Sequence, residues 1–307
     1  MPLQRLKALF ARQRSPQPEE GLDAEVRDGA ARFAAWAAGV TKQPCPVAWE
    51  GLAAGEQALE ALRREAPADG LGEQAASDAA AFFGEATREQ LGGTWREDAL
   101  LGVVLAGVGG VEAARLIPMA LVEKKWELGG GLSLALFFTS IEERLVRERA
   151  FRARWQLPGQ SAAQLITQTP PGRELVAARE LTERFNAWWK ARFGMPPALS
   201  LQGVRELERF LRSQFFLIML EEDRLAEAGV FLGEVGRGLF QGEWDFAEAR
   251  GPEGTARVAL RWPELPYYPV GRVLRLVTER PEGEALDEYL RLIPSARTEI
   301  RKQQAGA

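Results

Sequence analysis

An internal repeat constrains the fold of this chain more than any other feature of the sequence. Residues 79–95 align without a gap to residues 228–244, an offset of 149 residues, and seven of the seventeen aligned positions are identical. The identical pairs are Ala79 and Ala228, Phe82 and Phe231, Gly84 and Gly233, Glu85 and Glu234, Arg88 and Arg237, Gly93 and Gly242, and Trp95 and Trp244. Because tryptophan is a rare residue, the sequence predicts a tandem duplication.

The match continues on both sides of this stretch. Upstream, residues 32–36 resemble residues 184–188, and downstream Pro118 falls on Pro269. The offset stays between 148 and 152 residues over the whole alignment. The order of elements is therefore preserved, and we expect two homologous units related by a pseudo-twofold axis.

Each unit is predicted to be α+β and predominantly helical. Apolar residues at helical spacing predict three helices, with a proline-containing link after the first helix. The third helix carries the Phe-x-Gly-Glu segment and ends near Gly92 or Gly242, where a left-handed stop is typical. A β-hairpin and a final helix follow, so the predicted unit is ααα-β-hairpin-α.

The boundary between the units is predicted in residues 156–172. This stretch is rich in Gln, Ser, Thr, Pro and Gly, and its Pro170-Pro171 pair cannot lie inside a helix or a central strand. The sequence thus divides into a basic amphipathic segment with its linker (1–20), a first unit (21–155), a linker (156–172), a second unit (173–296) and a tail (297–307).

The absence of histidine excludes several kinds of chemistry. With no histidine and a single cysteine, Cys45, the chain cannot form a Ser–His–Asp triad, a Cys–His pair, a common zinc site or an internal disulfide. The glycine-rich stretch 104–112 has Glu112 where a dinucleotide loop needs its third glycine, so a tight turn is expected. We expect no cofactor and no metal, and the net charge of −4 argues against a nucleic-acid partner.

The repeated Gly-Glu-x-x-Arg segment is the foremost candidate site. Glu85 and Arg88, like Glu234 and Arg237, are three residues apart and therefore share a helix face. The glycine before each glutamate indicates close packing against another backbone. A structural role is favoured, in which the glutamate pairs with the arginine or satisfies buried amides; the alternative is a carboxylate that faces a ligand.

Four aromatic residues are further candidates for binding. Trp95 and Trp244 open the two hairpins, where a tryptophan more often caps a core than stacks on a ligand. Tyr267 and Tyr268 lie between two prolines and form a rigid corner that could serve recognition. Their counterparts in the first unit are apolar, which favours a place in the core.

Two charged segments are candidate interaction surfaces. Met1–Arg14 is short, basic and amphipathic, and either docks on a partner or an anionic membrane, or is a frayed or packed end. The arginine-rich end of the last helix of the first unit is better explained as a solvated face. There Phe151 and Trp155 are expected to dock against the second unit.

These observations favour a non-catalytic binding or scaffold protein of the bacterial cytoplasm that acts through protein–protein contact. The alternative is a histidine-free carboxylate enzyme that uses Glu85 and Glu234 in acid–base or Mg²⁺ chemistry. A second alternative is a membrane-peripheral or assembly adaptor recruited through residues 1–14. One open cleft holding both glutamates would favour the enzyme, and burial of each within its own unit would disfavour it. The sequence leaves the oligomeric state open.

Overall fold

The computed structural model describes residues 19–65, 71–98, 101–155, 160–214, 217–251, 254–262 and 266–278, together with residues 285, 286, 290 and 294. Over these residues the protein is mixed α+β and predominantly helical, as the sequence predicts. The N-terminal segment Met1–Arg14 and the predicted tail 297–307 lie outside the described residues. No helix within the described ranges has the length and apolar character needed to cross a bilayer.

The chain folds into two compact units. The first comprises Met1–Ala150 and Phe216–Met219, and the second comprises Phe151–Phe215 and Leu220–Ala307. A short piece from the middle of the second half of the sequence therefore belongs to the first unit. The stretch 156–172, predicted as a linker, contains a helix that begins after Ser161 with a capping box formed by Ser161 and Gln164.

The first unit packs helices against a small antiparallel sheet. Its helices are α1 (Glu19–Thr41), α2 (Leu52–Glu65), α3 (Glu73–Leu91), α4 (Pro118–Leu128) and α5 (Leu134–Arg152), of which α5 ends in the second unit. Its strands are β1 (Thr94–Asp98), β2 (Gly102–Ala106), β3 (Arg115–Leu116) and β4 (Leu217–Ile218), paired in that order. The sheet thus extends the predicted hairpin by two short strands.

Phenylalanines from three helices form the centre of the first unit. Phe33 of α1 lies 5.2 Å from Phe82 of α3, and Phe83 stacks on Phe138 of α5 at 6.0 Å between ring centroids. All four rings are buried. Helical spacing places these apolar residues on one face of each helix, so their burial accounts for the way the helices pack.

The glycine-rich stretch of the first unit is a tight turn between β2 and β3. Gly107, Gly109 and Gly110 all have positive φ, and the chain makes one 3-10 turn over Val108–Gly110. The Gly107 N–H donates to the carbonyl of Ala114 at 2.8 Å, which closes the turn. This backbone needs glycine because side chains disfavour the left-handed region.

The second unit has a similar succession of three helices, a small antiparallel sheet and a further helix, preceded by one additional helix. Its helices are α6 (Ala162–Gln168), α7 (Glu174–Phe193), α8 (Leu201–Ser213), α9 (Glu222–Phe240) and α10 (Pro269–Thr278). Its strands β5 (Glu243–Asp245), β6 (Ala259–Arg261) and β7 (Pro266–Tyr267) form an antiparallel sheet in that order. The helix α6 has no counterpart in the described part of the first unit.

The end of α5 contributes aromatic residues to the second unit. Phe151 stacks on Trp155 with 6.2 Å between ring centroids and meets Trp188 of α7 edge-on at 6.3 Å. Arg152 forms an ion pair with Glu221 just before α9. Aromatic pairs of this kind stabilise packing beyond the area that they bury.

Candidate functional site

Glu85 of α3 is held inside the first unit by two donors. The Arg88 guanidinium donates to its carboxylate from Nε at 3.0 Å and from Nη2 at 2.9 Å. The indole N–H of Trp95, at the start of β1, donates to Oε1 at 2.6 Å. Glu85 is buried, and its hydrogen bond raises the pKa of Arg88. We call this arrangement of carboxylate, guanidinium and indole a clamp.

Glycine makes room for the clamp. A Cβ atom at Gly84 would lie 2.1 Å from Cη2 of Trp95 and 3.0 Å from Cγ of Pro118. The indole therefore lies directly on the backbone of α3, where its N–H reaches the neighbouring glutamate. The repeated glycine, glutamate, arginine, tryptophan and proline thus form one local arrangement.

The second unit contains a clamp of the same geometry. Arg237 donates to Glu234 at 2.7 and 2.9 Å, and the Trp244 indole donates to the same carboxylate at 2.6 Å. A Cβ atom at Gly233 would lie 2.1 Å from Cη2 of Trp244. Glu234 is buried, and its hydrogen bond raises the pKa of Arg237.

The clamps explain why these residues recur, and the explanation is structural. Both oxygens of each carboxylate accept hydrogen bonds from groups of the same unit. A carboxylate that already accepts hydrogen bonds on both oxygens has fewer lone pairs left for a substrate. The recurring glutamate and arginine therefore have a common geometry in both units, and this geometry is one of packing.

The tyrosine corner of the second unit is divided between core and surface. Tyr267 is buried on β7 and stacks on Trp262 at 6.4 Å. Tyr268 is half-buried; its hydroxyl donates to Glu248 at 3.0 Å and its ring lies 5.1 Å below the Arg257 guanidinium. The nearby carboxylate and burial raise the pKa of Tyr268. Of the pair, Tyr268 alone reaches the surface.

The described residues include no cluster of three or more His, Cys, Asp or Glu side chains that could hold a metal ion. A cleft of about 240 Å³ in the first unit is lined by Gln90, Leu91, Gly109, Glu142, Leu145 and Arg149. This volume is below the range of about 300–1,000 Å³ that is typical of small-molecule sites. The cleft offers one carboxylate and no nucleophile.

The sequence did not single out an apolar surface at the end of α7, which the structure exposes. Phe193, Met195 and Leu199 have 49%, 74% and 56% of their surface exposed, and we call these three residues the Phe193 surface. Phe193 is the last residue of α7, and the other two lie on the short connection to α8. Three exposed apolar residues within one short stretch of chain make this stretch a candidate interaction site.

The first unit has polar residues at two of the three corresponding positions, although the backbone of its connection has the same key features. Lys42 and Gly194 both have positive φ at the end of their helices. A Cβ atom at Gly51 or at Gly203 would lie 1.9 Å from the carbonyl oxygen five residues earlier in the chain. At the positions of Phe193 and Met195 the first unit has Thr41 and Gln43. At the position of Leu199 it has another apolar residue, Val47. The fold therefore does not require apolar residues at the first two positions, and this difference between the aligned segments is the signal that could have revealed the surface.

An aromatic cluster supports the Phe193 surface from below. The Phe193 ring lies 4.7 Å from Trp189 and 5.4 Å from Phe210 of α8, measured between centroids. The Arg192 guanidinium lies 5.9 Å from the Phe193 centroid and within cation–π distance of three further rings. These contacts hold one edge of the exposed ring in place.

A buried ion pair is a second difference between the units. Arg224 and Glu227, one turn apart on α9, are paired and almost fully buried, and the Arg224 guanidinium lies 5.2 Å from the Trp188 centroid. Burial raises the pKa of Glu227 to about 7, against the opposing effect of the Arg224 and Arg184 charges. When the offset of 149 residues is continued upstream, the first unit has Ala75 in place of Arg224. The pair therefore belongs to the second unit alone.

Comparison with known proteins adds no relative: neither a family model, nor a curated protein, nor a solved structure matches this chain. Function is consequently inferred from the residues and their geometry.

Proposed function

We propose that this chain is a non-catalytic binding or scaffold protein that acts through contact with another protein. We further propose that its two α+β units are copies of one ancestral unit. The Phe193 surface is the observation that carries the binding role, because it exposes three apolar side chains, two of which have polar counterparts in the first unit.

The duplication is supported by agreement in detail between the units. The two clamps have nearly the same hydrogen-bond lengths, and each indole lies over a glycine and beside a proline. The order of helices and strands agrees as well, apart from α6 and β4. Seven identities in seventeen aligned residues, placed at these same contacts, favour common descent over convergence.

The alternative of a carboxylate enzyme loses its main argument. Glu85 and Glu234 each accept hydrogen bonds from an arginine and a tryptophan within their own unit. A catalytic pair would need oxygens that are open to a substrate or a metal. We therefore infer that the residues shared by the units stabilise the fold, and that residues that differ between the units bind a partner.

The bacterial cytoplasm is the proposed location. The single cysteine, Cys45, is buried and unpaired, as is usual for proteins of reducing compartments. Its burial raises the pKa of the thiol, so it is not suited to be a reactive nucleophile.

Cross-linking capture of a protein partner on the wild-type chain and on two variants tests the binding role. The wild-type chain is compared with Phe193→Thr, Met195→Gln, which installs the residues of the first unit, and with Leu136→Gln as a control. Leu136 is 73% exposed in the first unit and lies outside the Phe193 surface. Circular dichroism first establishes that all three proteins are folded.

We expect a protein partner to cross-link to the wild type and to Leu136→Gln, with at least about a tenfold loss for the double variant. A partner captured equally by all three proteins would remove the Phe193 surface from the binding role. Absence of any captured protein would count against the proposed function as a whole.

A further inference from the structure

The proposed function does not specify the chemistry of the partner. The charges around the Phe193 surface indicate which kind of partner segment it would bind. Resting on that function, we infer that the Phe193 surface binds an acidic amphipathic segment of a partner protein. Such a segment would place apolar side chains on Phe193, Met195 and Leu199 and carboxylates against the surrounding basic residues.

The surroundings of the surface are basic although the chain as a whole has a net charge of −4. Lys190 is exposed one turn before Phe193 on α7 and therefore shares its face. Arg209 is exposed next to Phe210, whose ring contacts Phe193. The Arg192 guanidinium lies over the Phe193 ring itself. Cations thus lie on both helices that lead to the surface.

Basic residues outnumber acidic residues near the surface. From Phe185 to Phe193 the helix α7 carries no acidic residue. On α8, Glu208 accepts from Arg212 at 2.8 Å and Glu206 accepts from Gln202 at 3.1 Å. An incoming carboxylate would therefore meet cations first, and electrostatic attraction of this kind determines partner choice and association rate.

Charge disfavours two other occupants. A second copy of this chain, docked by the same surface, would bring the cations of one copy against those of the other. The segment Met1–Arg14 of the chain itself carries Arg5, Lys7, Arg12 and Arg14 and no acidic residue. Like charge would oppose its docking in the same way.

The surface is preorganised for a peptide rather than for a lipid bilayer. Pro196 and Pro197 restrict the connection, and Gly203 allows the backbone to approach the carbonyl of Ala198 closely. Phe193 is anchored on Trp189 and Phe210. A rigid site of three apolar side chains lowers the cost of ordering a bound segment, whereas membrane-surface binding needs a longer amphipathic face.

Selection from a random peptide library tests the inference. Peptides about 16 residues long, enough for a short helix, are displayed and selected on the full-length wild-type protein. Binding of enriched peptides is then measured on three variants. These are Phe193→Thr, Met195→Gln; Lys190→Glu, Arg209→Glu; and the control Leu136→Gln.

We expect the enriched peptides to be rich in Asp and Glu, with apolar residues three or four positions apart. Their affinity should fall at least about tenfold on each of the first two variants and stay unchanged on the control. Raising the salt concentration should weaken binding to the wild type, because the attraction is screened.

The possible failures are distinguishable. The acidic partner would be overturned if the selected peptides lose affinity on Phe193→Thr, Met195→Gln but are neutral or basic, or if their affinity is unchanged on Lys190→Glu, Arg209→Glu. Neither result would contradict the proposed function. Peptides that never depend on Phe193 would overturn both. Sedimentation with vesicles of phosphatidylcholine and phosphatidylglycerol provides a further arm: vesicle binding that is lost with Phe193→Thr, Met195→Gln would overturn the protein partner in favour of a membrane.

Discussion

At the scale of the residue, the clamps show how one missing side chain organises its neighbours. Gly84 lets the Trp95 ring lie on α3, and this position brings the indole N–H to Glu85. Glu85 in turn orients Arg88. The absence of a side chain at Gly84 therefore determines where three other side chains lie.

Replacing this glycine should be costly. We expect Gly84→Ala to lower the free energy of unfolding by about 1–3 kcal/mol, because the new Cβ must displace the ring or the helix. Gly39→Ala, inside α1 with nothing within 4 Å, is the matched control and should raise stability by about 0.5–1 kcal/mol. Urea denaturation followed by circular dichroism measures both. Equal effects of the two substitutions would contradict the packing role of Gly84.

The buried Glu227 gives a prediction for pH. Its pKa is about 7 in the folded protein and 4.5 as the ordinary value. The folded state therefore holds the proton more tightly, so the stability due to Glu227 is fully present below about pH 4.5 and is lost as the pH rises through about 7. Arg224, Arg184 and Asp223 are the charged groups that act on it.

Glu227→Gln removes this titration. Relative to that variant, the wild type should lose stability on the order of 2–3 kcal/mol between about pH 4.5 and pH 7.5. Chemical denaturation of both proteins across this window gives the difference directly. A difference that does not change with pH would show that Glu227 stays ionised beside Arg224.

At the scale of the element, β4 is the clearest departure from the expected unit. Leu217 pairs with Leu116 of β3, and both are fully buried in the first unit. Residues from the second half of the sequence therefore complete the sheet of the first unit.

Truncating this strand should damage the first unit at a distance in sequence. We expect Leu217→Ala to cost about 2–5 kcal/mol and to raise the hydrogen exchange of the Leu105 and Leu116 amides. Leu211→Ala, equally buried but in α8 of the second unit, is the control and should leave those amides protected. Faster exchange in the control as well would mean that the two units open together.

The elements also show what a sequence can and cannot predict. The long helices and the β1–β2 hairpin follow from periodicity and glycine stops. Strands β3, β4 and β7 have two residues each, too few for any periodic pattern. The helix α6 was not predicted, because the stretch that contains it is rich in residues typical of linkers. The pair Ser161 and Gln164 is nevertheless a capping signal.

The candidate site was predictable in the same limited sense. The clamp residues stood out because they recur, but recurrence does not distinguish packing from catalysis; the hydrogen bonds of Glu85 and Glu234 do. The Phe193 surface lies at positions where the aligned segments of the two units differ, and its exposure depends on how α7 and α8 pack. No pattern within either helix reports that packing.

At the scale of the whole molecule, the two units have similar internal arrangements and differ in particular side chains. The clamps are common to both, whereas the Phe193 surface and the Arg224–Glu227 pair are features of the second unit. If the units arose by duplication, as we propose, one copy could keep its side chains while the other acquired new ones. The asymmetry is therefore where a partner is to be sought.

The insertion of β4 into the first unit has a consequence for synthesis of the chain. A ribosome that has just added Ala150 must still add roughly 70 residues before Leu217 and Ile218 exist. At about 5–20 residues per second this delay lasts on the order of 3–14 s. During that interval the nascent first unit has an open sheet edge at β3, so chaperone binding to the growing polypeptide is expected to cease only once the second half is well under way.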